Sequence, residues 1–134
     1  MAAPSRPRSQ RGSAVVDIVL VLLVLVPLVL GIVQVALVMH VRNTLAAAAS
    51  EGARYAATQG GSAGAGESRT RGQIDEGIAG GFARDIAVRR VVLGSVATIE
   101  VVVRARVPAL GLGGPGVDLV VEGHAVAEQP PEQP

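Results

Sequence analysis

The apolar and polar positions divide the chain into a long N-terminal apolar run and a more polar remainder. Residues 18–39 are apolar except for Gln34. At a helical rise of about 1.5 Å per residue, this run spans about 33 Å, which matches the hydrocarbon core of a bilayer. Pro27 and Gly31 would weaken a soluble helix, but membrane helices tolerate both residue types. The run therefore predicts one transmembrane helix.

Small residues continue the helical pattern beyond the apolar run. Leu45, Ala49, Gly52 and Ala56 recur at three- and four-residue spacing, which predicts a continuous helix over residues 13–58. Two small-xxx-small series follow this spacing: Ala48, Gly52 and Ala56, and Ala49, Ala53 and Ala57. Such series let two helix backbones approach closely. They indicate either assembly with another helix or simply an Ala-rich helix.

The next segment is predicted to be a linker followed by a short helix. Residues 59–72 are rich in Gly, Ser and Ala, which is typical of a flexible linker. Thr70 and Gln73 resemble a capping box that would start a helix. The apolar residues Ile74, Ile78, Phe82 and Ile86 follow at four-residue spacing and predict a narrow apolar stripe on that helix.

The C-terminal half of the chain shows the period of β-strands. Residues 97–107 alternate between apolar and mostly polar positions, as in a half-buried strand. Residues 88–93 and 117–126 are its predicted antiparallel partners. We therefore predict an α+β fold, in which residues 73–127 form a small domain with one short helix and a two- to three-stranded antiparallel sheet. Residues 128–134 are polar and Pro-rich, and are predicted to be a disordered tail.

The distribution of charge predicts how the chain is oriented. Arg6, Arg8 and Arg11 precede every acidic residue, although the net charge is only +1. The positive-inside rule makes residues 1–12 a basic cytoplasmic leader and places the C-terminal domain outside. All basic residues are Arg, which fits a GC-rich bacterial genome. The expected location is therefore the bacterial cytoplasmic membrane, with a single crossing.

A cleaved secretory signal peptide is an alternative interpretation of the N-terminal region. A basic stretch precedes the apolar run, and an A-x-A pattern follows at residues 46–49. The run is nevertheless longer than the roughly 7 to 15 apolar residues of a signal peptide. Asp17 also lies at its cytoplasmic entrance, where a signal peptide gains nothing from an acid. Both features favour a retained anchor.

The chain offers little chemistry for catalysis or ligand binding. It has no Cys, and His40 and His124 have no second His or Cys in metal-ligand spacing. No Ser is accompanied by an evident His and acid arrangement. The small excess of basic charge is not the clustered patch of a nucleic-acid-binding protein. We expect no enzymatic activity, and no cofactor, metal, nucleic acid or small-molecule substrate.

One acidic residue near the start of the apolar run requires an explanation. Asp17 lies five residues after Gly12, at the cytoplasmic entrance of the predicted membrane helix. A carboxylate within hydrocarbon costs about 2.5 to 3.5 kcal/mol on insertion scales. Asp17 therefore either has a partner in the membrane or extends to the cytoplasmic interface beside Arg11.

These motifs resemble the TadE-like family of minor pilins, or pseudopilins, of tight-adherence (Flp-type) pilus loci. The resemblance covers residues 11–58. It rests on R-G-S-A-V-V-D at residues 11–17, on the uninterrupted helix, and on N-T-L-A-A-A-A-S-E-G-A-R-Y-A-A at residues 43–57. The last segment is similar to the family's A-x-x-G-A-R-x-A pattern, with these residues in place: Glu51, Gly52, Ala53 and Arg54.

The resemblance implies that the chain is processed and assembled. A prepilin peptidase would cut after Gly12 and leave Ser13 as the new N-terminus. Asp17, where the family more often has Glu, would pair with the N-terminal amine of a neighbouring pilin-like subunit. Ala48, Gly52 and Ala56 would then pack against other helices. Glu51 and Arg54 would form either a surface pair, worth about 0.2 to 0.5 kcal/mol, or an intersubunit contact.

The expected function is therefore that of a TadE-like minor pilin, a structural and assembly component of a Flp-type pilus or related secretion system. Its expected partners are other pilin-like subunits, a prepilin peptidase and the lipid bilayer. The alternative is an unprocessed single-pass membrane anchor that carries a small accessory or binding domain.

Overall fold

The computed structural model describes residues 11–58, 61–77 and 79–128. The predicted leader and tail therefore lie largely outside the described residues. In chain order the elements are α1 (Arg11–Ala57), α2 (Ala63–Glu76), β1 (Ala83–Leu93), β2 (Val96–Pro108), a 3-10 turn (Ala109–Gly111) and β3 (Gly116–Val126). The strands form one antiparallel sheet in the order β1-β2-β3. The predicted α+β class, with one long apolar helix and one short helix, is confirmed.

The helix α1 is a single 47-residue helix that contains Pro27. Its apolar part is long enough to cross a bilayer, and this part is not covered by the rest of the described chain. Every side chain from residue 14 to residue 33 is exposed. In a soluble protein such a surface would be buried, so its exposure supports a single-pass membrane anchor.

The second half of α1 is the central element of the folded domain. Val41, Leu45, Ala49 and Ala53 are fully buried. They belong to one core with the inner face of β2, which contributes these buried side chains: Val101, Val103, Ala105 and Val107. The predicted division between a helix at residues 13–58 and a separate domain at residues 73–127 is therefore wrong, because the domain folds around the helix.

Small residues bring the sheet unusually close to α1. A Cβ atom at Gly123 of β3 would lie only 2.5 Å from the Ser50 amide nitrogen and 2.6 Å from the Ala49 carbonyl oxygen. Any side chain at this position would therefore separate β3 from α1. Because the core side chains are mostly Val and Ala, close backbone approach replaces the large aromatic contacts of other domains.

The predicted linker is wrong over residues 63–72, which are helical. Ser62 is the N-cap of α2, and its Oγ accepts a hydrogen bond of 3.1 Å from the Ala65 amide. The predicted start at Thr70 is therefore too late, since that residue lies inside α2. The helix ends at Glu76, with Gly77 as its C-cap. The predicted apolar stripe does not form, because Phe82 lies in a turn and Ile86 in β1, while Ile78 lies outside the described residues.

Two hydrogen bonds define how the sheet lies along α1. Near the apolar part of the helix, the Leu110 amide donates to Oε1 of Gln34 at 2.6 Å. At the other end of the helix, the Glu128 amide donates to the Ala57 carbonyl at 2.9 Å. Strand β3 therefore runs parallel to α1. The β2–β3 connection lies toward the apolar first half of α1, and the β1–β2 turn lies at the far end of the domain.

Candidate functional site

The predicted processing site lies at the beginning of α1. Gly12 and Ser13 are in the first turn of the helix, and Asp17 follows on the same helix four residues after Ser13. The Asp17 side chain is exposed. Within the part of the chain that the structure describes, its carboxylate has no hydrogen-bond or ion-pair partner. An apolar helix surface therefore carries one acid near its N-terminal end.

The free surface of α1 is apolar and nearly uniform. Residues 14–33 are all exposed and would extend for about 30 Å, the thickness of a bilayer core. Around Pro27 and Gly31 the helix has a shallow apolar notch that also involves Leu28, Ile32 and Val35. A Cβ atom at Gly31 would meet nothing within 4 Å. This surface can contact lipid or the helices of other subunits.

The small-residue face farther along α1 is used inside the chain. Gly52 lies against Thr70 and Gly66 of α2, and a Cβ atom at Gly66 would lie 2.7 Å from Cβ of Ala56. Ala48 and Ala56 are also buried. The prediction that Ala48, Gly52 and Ala56 pack against other subunits is therefore corrected: Gly52 and Ala56 make their close contact with α2 of the same chain, and Ala48 is buried within that chain.

In residues 51–54, which resemble the family's pattern, Glu51 has a different ion-pair partner from the predicted Arg54. Glu51 lies 3.3 Å from the Arg69 guanidinium of α2, so it bridges the two helices of one chain rather than pairing with Arg54. Both partners are nearly half exposed, and such a pair is worth no more than about 1 kcal/mol. Ala53 is fully buried, whereas Arg54 and Tyr55 are exposed. The segment thus combines core residues with an outward-facing Arg-Tyr pair.

The outer face of the sheet holds a polar cluster that the sequence analysis did not predict. Arg89, Glu100 and His124 occupy paired positions on β1, β2 and β3. Glu100 is bound by the Arg89 guanidinium and lies 3.2 Å from Nε2 of His124. The hydrogen bond from Arg89 holds the pKa of the Glu100 carboxyl below its ordinary value, and burial opposes this effect only in part. The same contact raises the pKa of Arg89.

Two members of this cluster, together with Glu122, are also arranged as possible metal ligands. Ligand atoms of Glu100, Glu122 and His124 all lie within 4.8 Å of one another. The sequence spacing had indicated that His124 is isolated from other potential metal ligands. In the structure it is close to two carboxylates. Arg89 nevertheless already binds the Glu100 carboxylate, so a cation would have to displace a guanidinium. Only the strand register could have revealed this cluster, because Arg89, Glu100 and His124 lie on three different strands.

A contact between the domain and the apolar helix was also not predicted. Gln34 is the one polar residue within residues 18–39, and its amide oxygen binds the backbone of the β2–β3 connection at Leu110. Leu110 has a positive φ of 51°, which is unfavourable for a residue with a side chain. A Cβ atom at the adjacent Gly111 would lie 3.9 Å from Cδ2 of Leu37 on α1. The domain thus reaches back along α1 into the predicted membrane span.

Part of the chain matches a known protein family. Residues 12–54 match the family model described as TadE-like protein. The match begins at Gly12, includes Asp17 and the whole apolar run, and ends at Arg54. The predicted resemblance to the TadE-like family is therefore confirmed over this segment. Comparisons with curated proteins and with solved structures gave no match.

Proposed function

We propose that this chain, with its TadE-like segment at residues 12–54, is a minor pilin-type subunit of a tight-adherence pilus or related secretion system. It is anchored in the bacterial cytoplasmic membrane by the first half of α1, with its N-terminus in the cytoplasm and its folded domain outside. It acts as a structural and assembly component, and its partners are other pilin-like subunits.

The exposure along α1 carries this proposal. The second half of the helix is covered by the chain's own sheet and α2, whereas residues 14–33 are exposed and include the acid at Asp17. A lipid anchor alone needs only apolar residues at these positions. An acid that enters the hydrocarbon costs free energy unless it is paired, and a lipid anchor gains nothing from one at this position, so its presence favours a helix that meets another subunit.

We further propose that a prepilin peptidase cuts after Gly12. The new amino group would then be that of Ser13, four residues before Asp17. Within one helix, the amine and the carboxylate are about 6 Å apart along the axis. The amine of one subunit can therefore pair with Asp17 of a neighbour that is displaced by about one turn. Such pairing would neutralise two charges that the membrane disfavours.

The fold argues against cleavage as a secretory signal peptide. The A-x-A pattern at residues 46–49 lies inside α1, where Ala48 and Ala49 are buried. Cleavage near Ser50 would also remove Val41 and Leu45, both fully buried, from the core. Loss of a large buried side chain alone costs about 2 to 5 kcal/mol. The domain would therefore not survive such cleavage in the same form.

Co-purification tests the assembly role of Asp17. We expect Asp17→Ala to insert into the membrane as well as the wild type, but to recover less of the other pilin-like subunits when the tagged chain is purified. Asp17→Glu, which restores the charge, should retain recovery. Asp75→Ala is the matched control, because Asp75 is exposed on α2. Equal recovery with Asp17→Ala and Asp75→Ala would rule out pairing through Asp17.

A further inference from the structure

The β2–β3 connection is an apolar loop at the membrane-facing end of the domain. We define the apolar loop as residues 108–116. No charged or hydrogen-bonding side chain occurs between Arg106 and Asp118. Leu112 is 87% exposed, the highest value among the large hydrophobic residues that the structure describes, including those on the free surface of α1. The loop therefore presents a tip that is both exposed and without charged or hydrogen-bonding side chains.

The loop is held at a defined level along α1. The Leu110 amide donates to Gln34 Oε1, and a Cβ atom at Gly111 would lie 3.9 Å from Cδ2 of Leu37. Leu110 has a left-handed conformation, with φ of 51°. Because this conformation is costly for Leu, the contacts with α1 must compensate for it. The loop is therefore a positioned element rather than a freely moving connection.

The position of Asp17 indicates where the part of α1 that holds the loop lies relative to the bilayer. If the hydrocarbon core begins just after Asp17, about 30 Å of helix ends near Leu37. Moving the bilayer farther toward the N-terminus would draw the Asp17 carboxylate into hydrocarbon, which is unfavourable. Gln34, which binds the loop at Leu110, and Leu37, which is close to Gly111, then lie at the outer boundary of the core. The apolar loop therefore also lies at the outer boundary of the hydrocarbon core.

The charges beside the loop fit the headgroup region. Arg106 and Asp118 flank the loop on β2 and β3, and their charged groups are 3.8 Å apart. Arg104, another exposed residue of β2, lies 3.5 Å from Asp85 of β1. Polar groups next to an apolar tip allow the tip to enter lipid while the charges stay in water.

We propose that the apolar loop inserts into the outer leaflet of the membrane, with Leu112 among the upper acyl chains. The loop gives the domain a second lipid contact beside α1 and fixes the rotation of the sheet relative to the bilayer surface. This inference rests on the membrane-anchored part of the proposed function. It does not depend on processing at Gly12 or on assembly with other subunits.

Single-cysteine labelling can test the insertion, because the chain has no Cys. The full chain, reconstituted in phosphatidylcholine/phosphatidylglycerol vesicles at a low protein-to-lipid ratio, would carry an environment-sensitive fluorophore at Leu112→Cys. The quencher is lipid with a nitroxide on its acyl chain. Ser95→Cys, in the β1–β2 turn, is the far-end control, and Val24→Cys reports the membrane helix.

We expect the label at residue 112 to lose most of its fluorescence when the nitroxide lies on the upper part of the acyl chain, close to the headgroup. The label at residue 95 should stay unquenched. Quenching at residue 24 without quenching at residue 112 would overturn the loop insertion and leave the anchor intact. Absence of quenching at residue 24 would instead overturn the anchor. If the label at residue 112 becomes less quenched as the protein-to-lipid ratio rises, a second copy of the chain covers the loop. That result would contradict lipid insertion.

Discussion

Thr70 of α2 lies directly over Gly52 of α1, where Gly52 places no side chain of its own between the two helices. A Cβ atom at Gly52 would collide with the Thr70 side chain and lie 2.8 Å from the Gly66 carbonyl oxygen. Thr70 is fully buried, and its hydroxyl donates a 2.9 Å hydrogen bond to that same carbonyl. The Gly in the TadE-like segment therefore has a structural role within this chain.

Gly52→Ala should destabilise the domain by about 1 to 3 kcal/mol, because α2 must move away from α1. Circular dichroism during chemical unfolding in detergent micelles would measure the loss. Gly72→Ala is the matched control, since a Cβ atom at this exposed α2 position meets nothing within 4 Å. The control should be neutral or stabilising by up to about 1 kcal/mol. Similar unfolding of both variants would refute the close contact.

The Arg89–Glu100 contact predicts a dependence of stability on pH. The pKa of Glu100 is held below its ordinary value of 4.5 by Arg89. A carboxyl whose pKa is lower in the folded chain stabilises the fold above the unfolded-state pKa. This contribution disappears as the pH falls through the folded-state pKa.

Glu100→Gln should therefore lower the thermal midpoint of the domain at neutral pH, and its difference from the wild type should shrink below about pH 4. Thermal unfolding of both proteins in micelles from about pH 7 to about pH 3 would measure this convergence. Glu76→Gln, at the exposed end of α2, is the control. A difference between Glu100→Gln and the wild type that stays constant down to the lowest pH would contradict the ion-pair explanation.

The Gln34–Leu110 hydrogen bond predicts that a substitution in the apolar helix increases the mobility of the β2–β3 connection. Gln34→Leu keeps the helix apolar but removes the acceptor, so the Leu110 amide loses its partner. We expect faster amide hydrogen exchange in residues 109–112, with exchange in the β1–β2 turn unchanged. Val33→Leu is the control, because Val33 is exposed on α1. Unchanged exchange around Leu110 would show that Gln34 does not hold the loop.

The elements with strong periodicity were predictable from sequence. The apolar run gives the first half of α1, which is long and apolar enough to cross a bilayer. The alternation at residues 97–107 gives β2, which is observed at Val96–Pro108. Strand β3 was also predicted to within one residue of its start. In the two strands, the hydrophobic pattern and the local backbone preference favour the same structure. The apolar run is instead rich in β-branched Val and Ile, and its length and apolarity predict the helix.

The errors arose where tertiary contacts override local preference. Residues 63–72 contain three Gly residues and were predicted to be a linker, but they form α2 because its small residues fit against α1. The buried Thr70 resembled a capping residue, although Ser62 is the cap. Likewise, Ala48, Gly52 and Ala56 indicated close helix packing correctly, but the sequence could not tell a helix of the same chain from that of a neighbour.

The polar cluster on the sheet shows a different limit. Arg89, Glu100 and His124 are separated by 11 and 24 residues along the chain, and only the register of three strands brings them together. No motif marks such a cluster. Asp17, by contrast, was found from sequence because a single acid at the edge of an apolar run is physically unusual. Its intersubunit role remains a prediction.

The central claim is that α1 belongs to a processed pilin-type subunit, and the N-terminal mass of the membrane-extracted chain tests it most directly. In cells with an active prepilin peptidase, we predict a mature chain that begins at Ser13. Cells without the peptidase should yield an uncut chain, and Gly12→Leu should block cleavage in cells that have it. A wild-type chain that still begins at Met1 or Ala2 with the active peptidase present would contradict the claim and identify an unprocessed anchor.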